Sequence, residues 1–175
     1  MENKTKCPLC GNSNVESKTG QSYRFTESGL DNVYLVNVET SHCPDCGAGS
    51  VSIPQSPQLL NCLGEAIVLS SGLLSGPEVR FLRKNLHIKI NDFAKLLGVA
   101  RGTLSRWENG QIRITKSNDL LIRSIYLFKG PGMGNEVRDE FRKWLEKQHA
   151  RKRKRINLRL PLDQFSCVPA IACSQ

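Results

Sequence analysis

Two pairs of cysteines constrain the fold of this chain more than any other feature of the sequence. Cys7 and Cys10 form one C-x-x-C pair, Cys43 and Cys46 form a second, and a glycine follows each pair. Four thiolates in two such turns suit tetrahedral Zn²⁺, with Zn–S distances near ~2.3 Å. The spacing therefore predicts one structural zinc ion, with all four positions filled by protein and none left open for a substrate.

The rest of the cysteine and hydropathy pattern favours metal binding over disulfides. The chain has seven cysteines, an odd number, and it begins without an apolar signal region. No run of about 18 apolar residues is present, so we expect a cytoplasmic protein with no membrane partner. A thiol–disulfide enzyme usually carries a single C-x-x-C within a βαβ setting, and this pattern is absent.

The segment between the cysteine pairs has the two-residue alternation of β-strands. Residues 23–26 and 34–40 alternate in this way, and the turn residues 29–32 separate them. This pattern predicts a small antiparallel sheet stapled by zinc, and we assign residues 1–52 to a four-cysteine zinc-finger domain. The exposed edges of such a sheet could pair with a partner protein, or the segment could be a simple spacer.

A second compact pattern lies at residues 88–110 and predicts a helix-turn-helix. A short helix over 88–97 has Phe93, Ala94 and Leu97 at core spacing, and Gly98 ends it. A second short helix follows and stops at Asn109-Gly110, and its Leu104 and Trp107 lie on one face. Two short helices joined in this way form the DNA-binding helix-turn-helix motif.

Three polar residues of the second helix, Arg101, Ser105 and Arg106, lie away from its apolar face and can reach outward. Arginine can bond guanine O6 and N7 together in the major groove of DNA, a contact worth roughly 1–3 kcal/mol of discrimination. An ordinary surface helix with solvated arginines is the alternative interpretation of this helix when it is considered alone.

Flanking helices complete an all-α domain, which we assign to residues 56–130. Helices are expected over 56–71 and 77–85, the second started by a capping box of Ser75 and Glu78. A third, capped at 115–119, extends to about Phe128. Four of its residues are expected to be mostly core positions: Leu120, Leu121, Ile125 and Leu127.

The C-terminal region, residues 131–175, is predicted to be an amphipathic helix and a basic tail. The helix covers about 136–148, and its stripe of Val137, Phe141, Trp144 and Leu145 could contact a second subunit or dock on the preceding domain. Residues 151–155 are five consecutive basic residues that could hold phosphates or remain a solvated tail. Residues 156–175 are interpreted as tail.

The net charge favours a polyanionic partner, and nucleic acid first. The formal net charge is +9, and residues 129–155 contribute +6 of it through ten Lys/Arg against four Asp/Glu. Together with the helix-turn-helix, this charge predicts double-stranded DNA as the ligand.

Residues 78–128 resemble the lambda-repressor-like (Cro/XRE) DNA-binding domain, on the pattern LRK…A..LGV…T.SRWE.G. The order of a four-cysteine finger, then SGLLSGPEVRFLR, then this domain resembles the YgiT-type zinc-finger/helix-turn-helix proteins, which include the MqsA-type antitoxins. The resemblance covers about residues 5–128. It implies a zinc-binding finger that can contact a small ribonuclease toxin, and a homodimeric domain that represses its own operon at a palindromic operator.

Carried over residue by residue, the resemblance assigns the zinc ligands to the four cysteines and the base contacts to Arg101 and Arg106. It assigns phosphate contacts to Thr103, Ser105 and Arg113. The antitoxin pattern often has asparagine where this chain has Gly102, which has no side chain to read a base.

The expected fold is therefore α+β: a small zinc-bound β-rich module, an all-α helix-turn-helix domain and a basic extension. The expected function is that of a sequence-specific repressor and antitoxin of a type II toxin–antitoxin system. A helix-turn-helix regulator without a toxin is the alternative. A zinc or thiol enzyme would need an open metal site or an acid/base pair, and His42, His87 and His149 form no such constellation.

Overall fold

The computed structural model describes residues 6–13, 15–53, 56–131, 134–147 and 158–161. These residues form two compact units, one containing the β-strands and the other containing the six α-helices. The α+β class expected from the sequence is confirmed, with a β-rich part that carries the cysteine pairs and a helical part that carries the helix-turn-helix.

The sheet is built around one central strand. Strand β1 (Glu16–Arg24) leads through a short 3-10 helix (Thr26–Ser28) into β2 (Val33–His42), and β3 (Gly49–Ser52) follows. Strands β1 and β3 both pair antiparallel with β2, on its two sides, as the alternation predicted. Both cysteine pairs adjoin these strands, because one precedes β1 and the other lies between β2 and β3.

A bulge in β2 keeps the apolar residues of that strand on one face. The β1–β2 register shifts on either side of Gln21, and the left-handed residues Gly20 (φ 77°) and Asn37 (φ 60°) lie at these shifts. Val33 and Leu35 are buried two residues apart, and strict alternation would then expose Val38. The extra residue at Asn37 restores the inward direction, and Val38 is fully buried.

A fourth strand comes from the C-terminal region, where the sequence predicted only a tail. Strand β4 (Leu158–Pro161) pairs parallel with the first half of β2, from Val33↔Leu158 to Val36↔Pro161. Four residues ending in a proline give little periodic signal, and the pairing spans more than 120 positions of sequence. Proline has no N–H to donate, which fits its place at the end of the strand.

The helical unit contains the helices that the sequence predicted, with starts and ends within two or three residues of the expected positions. Their bounds are α1 Ser56–Leu69, α2 Gly76–Asn85, α3 Ile90–Leu96, α4 Arg101–Glu108, α5 Lys116–Lys129 and α6 Asn135–Lys147. The capping box is present, since the Ser75 N–H donates to Glu78 Oε2 at 2.7 Å. The expected core residues of the helix-turn-helix are all buried: Phe93, Ala94, Leu97, Leu104 and Trp107.

The predicted core face of α5 is wrong for most of its residues. Leu127 is buried, but Leu121 is 39% exposed and Leu120 and Ile125 are only half-buried. The prediction named Leu120, Leu121, Ile125 and Leu127 and left out Ile122 and Tyr126, which are both fully buried. The buried face instead follows the helical spacing of Asp119, Ile122, Arg123 and Tyr126, and two of these are charged.

The charged part of that face closes the end of α1. Arg123 is fully buried and its Nε donates to Asp119 Oδ2 at 3.0 Å. Asp119 Oδ1 in turn accepts the Leu74 N–H at 2.6 Å. The remaining guanidinium nitrogens donate to carbonyl oxygens at and beyond the end of α1: Ile67, Val68, Ser70 and Gly72. A cation at a helix C-terminus also suits the helix dipole.

Helix α6 packs within the chain. Val137 and Phe141 are 5% and 7% exposed, which favours docking over the alternative of a subunit contact for these two residues. The side chains of Trp144 and Leu145 and the basic run 151–155 lie outside what the structure describes. In the described part of the chain, no helix is both long and apolar enough to cross a bilayer.

Candidate metal centre and nucleic-acid interface

The four cysteine sulfurs converge on one point. Cys7 Sγ lies 3.6 Å from Cys46 Sγ, Cys10 Sγ lies 3.6 Å from Cys43 Sγ, and all four sulfurs lie within 4.8 Å of one another. A tetrahedron of sulfurs with Zn–S bonds near ~2.3 Å has edges of about 3.8 Å. The four cysteines predicted from the sequence spacing thus have the sulfur–sulfur distances that a zinc-sized ion requires.

The two cysteine turns have the same backbone geometry. In each, the glycine after the second cysteine donates its N–H to the carbonyl of the first, at 2.9 Å for both Gly11→Cys7 and Gly47→Cys43. Both glycines are left-handed, at φ 74° and 71°, a conformation in which other residues are strained. This repeated turn presents one buried and one exposed sulfur from each pair to the centre.

The acidities of the sulfurs show why a cation suits the cluster. Backbone N–H groups of Cys10 and Leu9 lower the pKa of the Cys7 thiol to about 6. The Asn12 N–H lowers the pKa of the Cys10 thiol, but the neighbouring sulfurs outweigh it and raise that pKa to about 12. Sulfurs this close cannot all ionise alone, and a divalent cation allows all of them to be thiolates.

The turn between α3 and α4 is fixed by a glycine. Gly98 (φ 66°) donates its N–H to Lys95 O at 3.1 Å, and the Val99 N–H donates to Ala94 O at 3.0 Å. These two bonds are those of a Schellman motif, which ends a helix sharply. Gly110 and Gln111 repeat the motif at the end of α4, with bonds of 2.9 Å to Trp107 O and Arg106 O. Helix α4 therefore ends sharply at Gly110, as the sequence predicted.

The structure places the five residues expected at DNA on the surface of this motif. Arg101 and Arg106 are exposed on α4, and Arg113 is exposed in the segment after it. Thr103 and Ser105 are half-buried on α4. The opposite face of α4 carries the buried Leu104 and Trp107, so the helix is anchored through its apolar side while the arginines face solvent.

Sequence reasoning missed an ion pair that anchors α4 to α2. The buried Glu108 carboxylate accepts from Arg83 Nε at 2.6 Å and from Arg83 Nη2 at 3.0 Å. Arg83 Nη1 also donates to Ile88 O at 3.0 Å, ahead of α3. A bidentate pair fixes orientation as well as distance, so Arg83 joins α2 to α4 and to the segment that leads into α3. The available signal was an acidic residue beside Trp107 on an otherwise apolar helix face.

Gly76, at the start of α2, allows α2 and the end of α4 to approach closely. A Cβ atom there would lie 2.9 Å from Glu108 O and 2.9 Å from Gly110 N, and closer still to Trp107 O. All three are backbone atoms that cannot rotate away. Glycine at this position therefore sets the distance between the two helices.

The starts of the helices differ between the motif and its surroundings. Helix α5 begins with a side-chain cap, in which Thr115 Oγ1 accepts from the Asn118 N–H, and α2 begins with its capping box. The N-cap residues of α3 and α4 are Lys89 and Ala100, and neither makes a side-chain cap hydrogen bond. The two helices of the helix-turn-helix thus start with their first amides uncapped.

Residues 5–138 match the model of one protein family, described as the antitoxin component of a bacterial toxin–antitoxin system, MqsA. The match spans both cysteine pairs and all helices up to the start of α6. No curated protein and no solved structure matches the chain.

Proposed function

The chain belongs to the MqsA antitoxin family, and from that premise we propose that it is a sequence-specific DNA-binding repressor with a structural zinc site. One observation carries the DNA-binding part: a sharply ended α4 presents Arg101 and Arg106 to solvent while Leu104, Trp107 and Glu108 anchor it. In helix-turn-helix proteins, the second helix lies in the major groove and its first residues contact base edges.

The five surface residues take two roles in this proposal. Arg101 and Arg106 bind base edges, where a bidentate arginine–guanine pair discriminates between bases. Thr103, Ser105 and Arg113 bind phosphates, which position the protein without reading sequence. The four cysteines Cys7, Cys10, Cys43 and Cys46 hold one Zn²⁺ that braces the β-rich unit and takes no part in chemistry.

Selection of bound duplexes from a random pool, followed by gel shifts, tests this function. We expect the wild type to select one sequence, and Arg106→Ala to lose preference at one position in each half-site, at a cost of roughly 1–3 kcal/mol. Lys129→Ala, which removes an exposed charge at the end of α5, is the matched control and keeps the preference. Unchanged base preference in Arg106→Ala would show that this arginine does not read the operator.

We propose that the repressor is a homodimer, since a palindromic operator needs two recognition helices about one helical turn, roughly 34 Å, apart. An apolar stripe on α5 supports a subunit contact: Leu121 and Phe128 are 39% and 78% exposed, with the half-buried Ile125 between them. Sedimentation equilibrium measures the mass in solution, and a monomer at micromolar concentration would contradict the dimer.

The family also supports a protein toxin as partner, and we propose that the outer edge of β1 receives it. Strand β1 pairs with β2 on one side only within the described residues, and eight of its nine residues are exposed. Such an edge offers unpaired N–H and C=O groups to an added strand. The regulator without a toxin remains the alternative function, and it shares the DNA-binding proposal.

Co-purification with the product of the adjacent reading frame tests the toxin partner. Because the Phe25 N–H donates to Val33 O, alternation turns the Ser22 N–H toward the outer edge. Ser22→Pro should therefore weaken toxin capture while leaving the β1–β2 pairing intact. Ser22→Ala serves as the control. Equal capture by both variants would exclude strand addition at β1.

A further inference from the structure

Gly102 is a helical glycine for which the folded chain itself gives no reason. It is exposed and is the second residue of α4. A glycine inside a helix is less favourable than alanine, because it loses more backbone freedom on folding. A glycine kept at such a place therefore needs an explanation from packing, from backbone conformation or from an outside partner.

Packing does not explain Gly102. Three glycines lie inside the described helices, and the other two face close neighbours. A Cβ atom at Gly64 would collide with the Tyr126 ring, and one at Gly76 would collide with the backbone of α4. At Gly102, a Cβ atom would have no heavy atom of the described chain within 4 Å.

Backbone conformation does not explain it either. Gly98 and Gly110, which end α3 and α4, are left-handed at φ 66° and 69° and need glycine for that reason. The backbone of Gly102 is not left-handed, because the residue lies within the regular helix α4. Alanine would fit its backbone without strain.

The N-cap of α4 is a second position at which this helix has a residue that is unfavourable for helix stability. Its N-cap residue is Ala100, and alanine there forgoes the side-chain cap that Thr115 gives to α5. Both residues are exposed and both are small. Positions that break local stability rules without an internal gain are characteristic of functional surfaces. The first turn of α4 thus has small side chains and forgoes stabilising interactions that the folded chain could accommodate.

We propose that Gly102 is a specificity-determining residue, kept small because the operator duplex comes into van der Waals contact with its Cα. This inference rests on the proposed DNA-binding function and adds to it. Gly102 lies one turn before Arg106 on the same side of α4, and Arg101 precedes it directly. Without a side chain at 102, the first turn can lie closer to the duplex than the asparagine of the antitoxin pattern would allow, and this close approach brings the two arginines within reach of base edges.

The test compares Gly102→Ala and the larger Gly102→Val with Ser117→Ala in the full chain. Ser117 is also an exposed second helical residue, on α5. Gly102→Ala should raise the melting temperature by about 1–3 °C, because alanine favours helix. It should nevertheless bind the selected operator about tenfold more weakly, and Gly102→Val more weakly still, while a random duplex is bound within about twofold of wild type.

The random duplex matters because the close approach exists only in the specific complex, whereas nonspecific binding depends on phosphate charge. Ser117→Ala should bind both duplexes as the wild type does. Operator affinity that is unchanged or tighter in Gly102→Ala overturns this proposal alone, provided that Arg106→Ala still relaxes base preference. A wild-type chain that selects no sequence overturns both this proposal and the DNA-binding function.

Discussion

The two units of the molecule neutralise their charged groups in different ways. In the β-rich unit, four sulfurs lie within 4.8 Å of one another and need a cation from outside the chain to ionise together. In the helical unit, the buried Arg123 and Glu108 are paired with side chains and carbonyls of the same chain. A bound ion can be removed with a chelator, whereas a partner side chain belongs to the same polypeptide and stays. Chelation should therefore affect the β-rich unit and leave the helical unit folded.

Removal of the proposed zinc ion should have the largest effect, and the β-rich unit alone should show it. Structural zinc supplies on the order of 10–16 kcal/mol to small modules, enough to decide whether they fold. We expect a chelator, or Cys43→Ser at the buried cysteine, to abolish the chemical-shift dispersion of the amide NMR signals of β1–β3. The amide signals of α1–α5 should stay dispersed. Ser41→Ala, at an exposed hydroxyl pair, is the control. Strand signals that survive chelation would show that the sheet folds without an ion.

Loss of the buried arginine should be the corresponding experiment in the helical unit. Arg123→Met leaves Asp119 without its cationic partner and removes the guanidinium hydrogen bonds to four carbonyl oxygens at and beyond the end of α1. We expect it to lower the free energy of unfolding by about 3–5 kcal/mol, because it breaks a buried pair. Urea denaturation followed on helical signals measures the loss.

A double variant separates the pair from the shape of the core. Asp119→Leu combined with Arg123→Met should recover part of the stability, since replacing both members of a buried pair costs less than removing one. A loss below about 1 kcal/mol in Arg123→Met alone would mean that these bonds contribute little to the fold.

The sequence was sufficient for the parts of the molecule that depend on short spacing. Each C-x-x-C turn supplies two of the four sulfurs of a tetrahedral zinc site, so Cys7–Cys10 and Cys43–Cys46 predicted the sulfur cluster directly. Helix ends depend on neighbouring residues in the same way, and Gly98 and Gly110 marked the ends of α3 and α4 because their left-handed backbone favours glycine. Local chemistry and local sequence carried the same information at these positions.

The sequence was insufficient where a residue's role depends on a distant partner. Asp119 and Arg123 are four residues apart on a helix, a spacing typical of exposed ion pairs, and only the end of α1 some 50 residues earlier makes them interior. Arg83 and Glu108 are 25 residues apart and carry no spacing signal. Strand β4 likewise depends on an edge of β2 that is remote in sequence.

Glu65 on α1 is an exception to the pairing of buried charge in the helical unit. It is only 5% exposed, and no residue of the described part of the chain donates a hydrogen bond to its carboxyl group. Burial raises the pKa of Glu65 above its ordinary value of 4.5. Burial also raises the pKa of the Tyr126 hydroxyl to about 12, against the lowering effect of Asn85, and the Glu65 charge adds to that increase.

The smallest of the three effects should follow from Glu65→Gln. Below pH 4.5 the carboxyl is protonated in the folded and unfolded chain alike, and above its raised pKa the folded state bears the full cost of a desolvated charge. The unfolding free energy of the wild type should therefore fall as pH rises between these limits, and Glu65→Gln should abolish that fall. At pH 7 we expect the melting temperature of the variant to be about 2–4 °C higher, because a stabilisation on the order of 1 kcal/mol raises the melting temperature by this amount in a chain of this size.

Glu136→Gln, at an exposed carboxylate of α6, should leave the pH profile unchanged. A variant that is less stable than the wild type at pH 7 would mean that the Glu65 charge has a stabilising partner, and that the helical unit has no exception to its internal pairing.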